Sequence, residues 1–150
     1  MTLKEALREV VRLLTAEPTK RLSIPSLVIS VPLYYSHGDA QEIVDNANSA
    51  ALMQWRSMTV IADHASQGGF WRLQRAKPHH TVAYVTQDGK TTRYCCNAIS
   101  KGNIIGGKLY DQNGNSVHDR TDIELLIYTC TGKKTATSTE VWLTIWKKEI

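Results

Sequence analysis

The dipeptide Asp88-Gly89 sits between two runs, HTVAYVTQ and TTRYCCNAI, that are rich in β-branched and aromatic residues. A two-residue connection of this kind needs positive φ at both positions, which Asp tolerates and Gly adopts freely. The pattern predicts an antiparallel hairpin, and a lone hairpin needs further strands to cover its apolar face. The rest of the chain supplies them. LSIPSLVISVPLYY reads as two short strands with a bend between them, because Pro25 and Pro32 do not suit a central strand. SMTVIADH, residues 57–64, reads as a buried strand that ends at a histidine. DIELLIYTC, residues 122–130, is nearly continuous in apolar residues and ends at a cysteine. EVWLTIWKKEI closes the sequence as a final strand, expected beside the cysteine strand because the loop 131–139 is short. Many short strands between turn residues predict a mostly-β barrel.

Helices are expected only at the periphery. Thr2 and Glu5 have capping-box spacing, and Leu3, Ala6, Leu7, Val10, Val11 and Leu14 follow the helical period up to Pro18. This helix is expected to pack on the barrel. Asp39 reads as the cap of a second helix through AQEIVDNANSAALMQW. The paired glycines of GGFWRLQRA mark a turn before a short helical piece, and the Gly-, Asn- and Asp-rich stretch 100–119 reads mostly as loop. The expected division is residues 1–21 as helix and linker and 22–150 as the barrel domain.

At 150 residues the chain fits one domain with a core of its own. Its hydrophobic content of 42% and charged content of 21% exclude a disordered chain. The net charge of +4 comes from scattered Lys and Arg rather than a basic stripe, so no nucleic-acid partner is expected. No segment has the roughly 18 consecutive apolar residues of a membrane span, and the charged N-terminal stretch is not a signal peptide. Cys95, Cys96 and Cys130 are odd in number, two are adjacent, and no CxxC pair exists. Neither a disulfide framework nor a structural metal site is expected, and no cofactor. Cys95 and Cys96 read as strand residues of which only one can face the core, and His79 and His80 as turn residues.

Chemistry is expected where two strands end, at His64 and at Cys130. The thiolate is the nucleophilic form of cysteine, and a neighbouring imidazole promotes it. The series LSIPSLVISVPLYY, TVIADH, GGFWRL, LLIYTCT and EVWLTIW resembles the sortase family in order and spacing over roughly residues 22–150. The strand ending in His64 and the Thr129-Cys130 segment carry most of that resemblance. It implies a sortase-like β-barrel with Cys130 as nucleophile and His64 as proton-transfer partner. It also implies a peptide sorting signal as substrate, a thioacyl intermediate, an amine acceptor and an extracytoplasmic location on a Gram-positive cell surface.

Two residues depart from the family pattern. Asp63 stands where Gly usually precedes the histidine, and Glu140 stands at the position read as that of the family's substrate-binding Arg. Glu140 could orient His64, while Lys133, Lys134, Arg120 or Arg93 could supply the missing cation. Trp142 and Thr129 are expected in a substrate groove. The alternatives are a sortase-fold binding or structural module without the reaction, and another cysteine acyltransferase such as an L,D-transpeptidase. Ser36-His37-Gly38 is similar to that last family's motif but is followed by Asp39 rather than Cys.

Overall fold

The computed structural model describes residues 2–7, 20–36 and 50–149. Among these residues nine strands follow in chain order: β1 (Lys20–Ile24), β2 (Ile29–Tyr35), β3 (Ala50–Trp55), β4 (Met58–Ala62), β5 (Val82–Gln87), β6 (Lys90–Ile105), β7 (Lys108–Tyr110), β8 (Leu125–Lys134) and β9 (Ser138–Lys148). They form one sheet in the order β5-β1-β2-β3-β4-β8-β9-β6-β7, and a further β5–β6 pairing closes eight of them into a mixed barrel. Only β7 lies outside the ring, as a hairpin on the end of β6. The β2–β3 and β4–β8 pairs are parallel, and all others are antiparallel.

Local signals explain most of these elements. Asp88 and Gly89 have φ of 51° and 83°, so both turn residues are left-handed as the hairpin requires. Pro25 opens a 3-10 turn (Pro25–Leu27) that separates β1 from β2. Pro32 is tolerated within β2 because pairing with β3 begins only at Leu33. A second 3-10 turn, Phe70–Arg75, follows Gly68 and Gly69 and sends Phe70 and Leu73 into the barrel. There they meet Leu22, Ile61, Leu125, Ile127 and Trp146. Burying each such side chain contributes about 1.5–3 kcal/mol. Trp146 is fully buried, and its indole N–H donates to Thr144 Oγ1 at 2.7 Å.

Three expectations need correction. Ala50–Trp55 is strand β3, not the end of a helix, because it pairs with β2 on one side and β4 on the other. The remainder of that expected helix lies outside the described residues. The stretch from Ser100 is not mostly loop either, since β6 continues to Ile105 and pairs with β9 throughout. Gly102 belongs there because a Cβ would come within 2.5 Å of the Tyr110 carbonyl oxygen and 2.7 Å of Leu143. At the N-terminus the capping box forms as expected, Thr2 N–H donating to Glu5 Oε2 at 3.2 Å and Glu5 N–H to Thr2 Oγ1 at 3.1 Å. Leu3 and Leu7 are nevertheless exposed rather than packed on the barrel, and residues 8–19 lie outside the description.

A second apolar cluster lies on the outer face of β4, β8 and β9. Met58, Val60, Leu126, Val141 and Leu143 are covered there by Leu109, Val117 and Ile123 from the segment after β6. Alternation along each strand sorts residues between the two clusters. In β8, Leu125 and Ile127 point inward and Leu126 outward; in β9, Trp146 points inward and Val141 and Leu143 outward.

Candidate active site

The parallel pairing of β4 with β8 sets the site. Its last pair is Ala62 with Tyr128, and one residue further the Thr129 hydroxyl donates to the Asp63 carbonyl at 2.7 Å. His64 and Cys130 each lie two residues beyond that last pair, His64 after the end of β4 and Cys130 within β8. Alternation along β8 puts Cys130 on the outer face with Leu126, opposite Val141. Regular β8–β9 pairing stops at Cys130, and four residue steps on β8 then match two on β9, between the Cys130–Val141 and Lys134–Thr139 pairs. Cys130 therefore stands at a bulge rather than at a strand end, where the ladder is interrupted and a side chain is re-aimed.

The Cys130 thiol is half-buried, and burial pushes its pKa up, opposed by the positive charge of Lys134. Cys96 is 1% exposed and is pushed higher, to about 11, chiefly by burial and further by Cys95. Below His64, Asp63 is 5% exposed. Its Oδ1 accepts the His64 backbone N–H at 2.7 Å, while its buried Oδ2 has no hydrogen-bond partner. Burial raises this carboxyl from 3.8 to about 6, against the lowering effects of that hydrogen bond and of the His64 charge.

The other expected site residues are dispersed. Glu140 alternates with Val141 and so lies on the face turned away from Cys130. It accepts from Thr131 Oγ1 at 2.9 Å and lies 3.8 Å from Lys101 Nζ. The residue of β9 opposite Cys130 is Val141, fully buried. Trp142 shares the face of Glu140, with Lys101 Nζ 5.1 Å from its ring centroid. Thr129, expected in a groove, is 1% exposed and ties the residue before Cys130 to the residue before His64. Arg120 pairs with Asp122 through Nε at 2.9 Å and Nη2 at 2.5 Å, before the start of β8. That is roughly 17 Å of strand from Cys130. Arg93 pairs with Glu149 at 2.9 Å, at the far end of β9 from Val141. Neither arginine reaches the thiol. Lys133 and Lys134 line a shallow cleft of about 470 Å³ at the bulge together with Glu140, and Lys134 is the cation whose charge acts on Cys130.

The residues that cover the outer face carried no sequence signal. Trp55 stacks on His118 with ring centroids 3.8 Å apart, and Tyr128 lies 6.5 Å from Trp55. His118 Nε2 accepts the Leu109 N–H at 3.3 Å, and burial lowers its pKa. Leu109, Val117 and Ile123 have no regular spacing that would mark them as one face. Among the described residues no group of three or more His, Cys, Asp or Glu side chains could hold a metal ion.

No protein-family model matches the sequence, and no curated protein resembles it by sequence. The fold does match solved structures. Sortase C-1 from Actinomyces oris superimposes with a TM-score of 0.56 and 16% identity, over 98% of this chain and 83% of that one. Sortase E1 from Streptomyces coelicolor, solved with a tripeptide in its active site, gives 0.57 and 15% over 89% and 90%. Clostridium perfringens sortase C, solved with a C-terminal cell wall sorting motif, gives 0.58 and 16% over 87% and 71%. At these identities the likeness is one of fold: the chain has a divergent sortase fold.

Proposed function

We propose that this chain is a sortase-like cysteine transpeptidase acting on a peptide sorting signal at the cell surface. The observation that supports the reading is the β4–β8 register, whose last pair, Ala62 with Tyr128, and the Thr129–Asp63 bond lie just before His64 on one strand and Cys130 on the other. The reacting form is the Cys130 thiolate beside protonated His64. The thiolate attacks a backbone carbonyl of the peptide, and the carbonyl π electrons move to oxygen. When the C–N bond breaks, His64 gives its proton to the departing amine and the acyl group stays on sulfur. A second amine then attacks the thioester, loses a proton to His64 and expels the thiolate. Lys134 is the cation whose charge acts on the thiol, and it stands in for an Arg clamp. A flexible ammonium holds an oxyanion less well than a bidentate guanidinium, so slow turnover is expected. The solved sortases with a tripeptide and with a sorting motif support a peptide as the ligand class. No helix among the described residues is long and apolar enough to cross a membrane.

A second reading, a sortase-fold binding or structural module, is favoured by one observation: Cys130 faces Val141 rather than a cation, and burial holds its thiol protonated. Mass spectrometry of the protein after incubation with a panel of sorting-signal peptides separates the two. An acyl adduct on Cys130 that Cys130→Ala abolishes and His64→Ala slows supports the enzyme. No adduct with any peptide, alongside saturable peptide binding, supports the module.

A further inference from the structure

Away from the thiol, the 3-10 turn Pro25–Leu27, the end of Phe70–Arg75 and the turn before β5 enclose a cleft of about 350 Å³. Ser26, Arg75, Lys77, His80 and Thr81 line it, with Leu27 at its base. Its size is at the low end for a small-ligand site. Arg75 and Lys77 bring two fixed positive charges, and His80 adds an imidazole. Among the described residues no carboxylate pairs with any of the three. This contrasts with Lys20, Arg93, Lys101 and Arg120, each of which has an acidic partner. Bringing like charges together without a counter-ion is unfavourable, and an anion in the cleft would relieve it.

The walls are braced. Arg72 donates from Nε to the Leu27 carbonyl at 2.6 Å and from Nη2 to the Val28 carbonyl at 2.8 Å, clamping one wall to the next. The Arg75 guanidinium lies 4.7 Å from the Trp71 ring centroid, a contact that orients the fork. On the third wall the Thr81 hydroxyl accepts the Lys77 N–H at 2.8 Å. Among the described residues four non-glycine residues have positive φ: Arg56 and Asp88 sit in tight hairpin turns, while Val28 (54°) and His79 (68°) flank this cleft. A β-branched residue at such φ is a genuine outlier.

We propose that this cleft binds a phosphate-bearing ligand. A planar carboxylate is satisfied by one guanidinium fork. A tetrahedral phosphoryl group offers acceptors in several directions, matching the fork, ammonium, imidazole and hydroxyls carried by the residues that line the cleft. Neither His64 nor Cys130 is among the residues that line it.

The test is an NMR titration of the whole chain with inorganic phosphate at constant ionic strength, with chloride as control. Saturable shifts of the Lys77, His80 and Thr81 amides are expected with phosphate and not with chloride. The double variant Arg75→Gln, Lys77→Gln changes two exposed side chains and should lose at least about tenfold in affinity while keeping its fold, as charge-assisted hydrogen bonds are removed. Non-saturating shifts, equal shifts with chloride, or unchanged affinity in the double variant would overturn the proposal. Two further arms identify the source of the phosphate. Co-sedimentation with phosphatidylglycerol vesicles that inorganic phosphate displaces points to a lipid headgroup. Binding of glycerol phosphate without co-sedimentation points to a soluble ester. Vesicle binding that survives both the double variant and added phosphate counts against the site.

Discussion

Replacing Asp63 with Asn tests the environment under His64. The native carboxyl is 5% exposed and is raised from 3.8 to about 6, mainly by burial. At about 1.4 kcal/mol per pH unit, ionising Asp63 in the folded state costs about 3 kcal/mol relative to the unfolded chain. The sign follows from the direction of the shift. Between 3.8 and about 6 the folded protein binds more protons than the unfolded one. The contribution of this group is therefore fully present below 3.8 and is lost as pH rises through about 6. Asn keeps the acceptor for the His64 N–H but does not titrate. Its amide, placed where Oδ2 lies without a partner, adds a pH-independent cost of about 1–3 kcal/mol. Urea unfolding of both proteins at about pH 4 and about pH 8 cancels that cost. The stability difference, Asn variant minus native, should rise by about 2.5 kcal/mol from the acidic to the alkaline measurement, because a small part of the contribution is already lost at about pH 4. Parallel pH profiles for the two proteins would refute the reasoning, because a carboxyl that pays no burial cost cannot produce the divergence.

Lys134→Gln should slow alkylation of Cys130 at about pH 8, because it removes the charge that favours the thiolate; peptide mapping after brief labelling should also find Cys130 modified well before Cys96, which is 1% exposed. Thr129→Val removes the hydroxyl that donates to the Asp63 carbonyl and should cost about 1–2 kcal/mol in urea unfolding; acyl-adduct formation should fall with it if that tie sets His64 against Cys130. Gly102→Ala should destabilise by about 1–3 kcal/mol, since the new methyl meets a backbone carbonyl that cannot move without β7. Glu140→Gln should leave Cys130 alkylation within about twofold of native, because the carboxylate lies on the other face of β9; a larger change would place it in the site after all.

The strands were legible because their signals are local. The Asp88-Gly89 turn, the prolines around β2 and the β-branched runs each act over a few residues. Ala50–Trp55 was misread because Ala, Leu, Met and Gln favour helices, and a partner on each side outweighs that weak preference. Gly102 and Asn103 looked like loop residues because a glycine demanded by a neighbouring carbonyl cannot be told from a turn glycine without the neighbour. His64 and Cys130 stood out by chemistry at the ends of apolar runs. The face occupied by Glu140 was not legible, since it depends on counting across a bulge in which β8 spends four steps against two on β9. Arg93 and Arg120 were plausible cations only until strand direction put both at the far end of the sheet.

The parallel β4–β8 pair has a kinetic consequence. Hairpins such as β5–β6 and β8–β9 join residues close in sequence and can form within microseconds. The Thr129–Asp63 bond spans 66 residues, so the loop-closure entropy of that span opposes it until neighbouring strands are in place. The ends of β4 and of the apolar run of β8 thus come together only when the barrel closes. Partly folded chains would carry a solvated Cys130, and the rate at which its reactivity changes during refolding would time the closure of the ring.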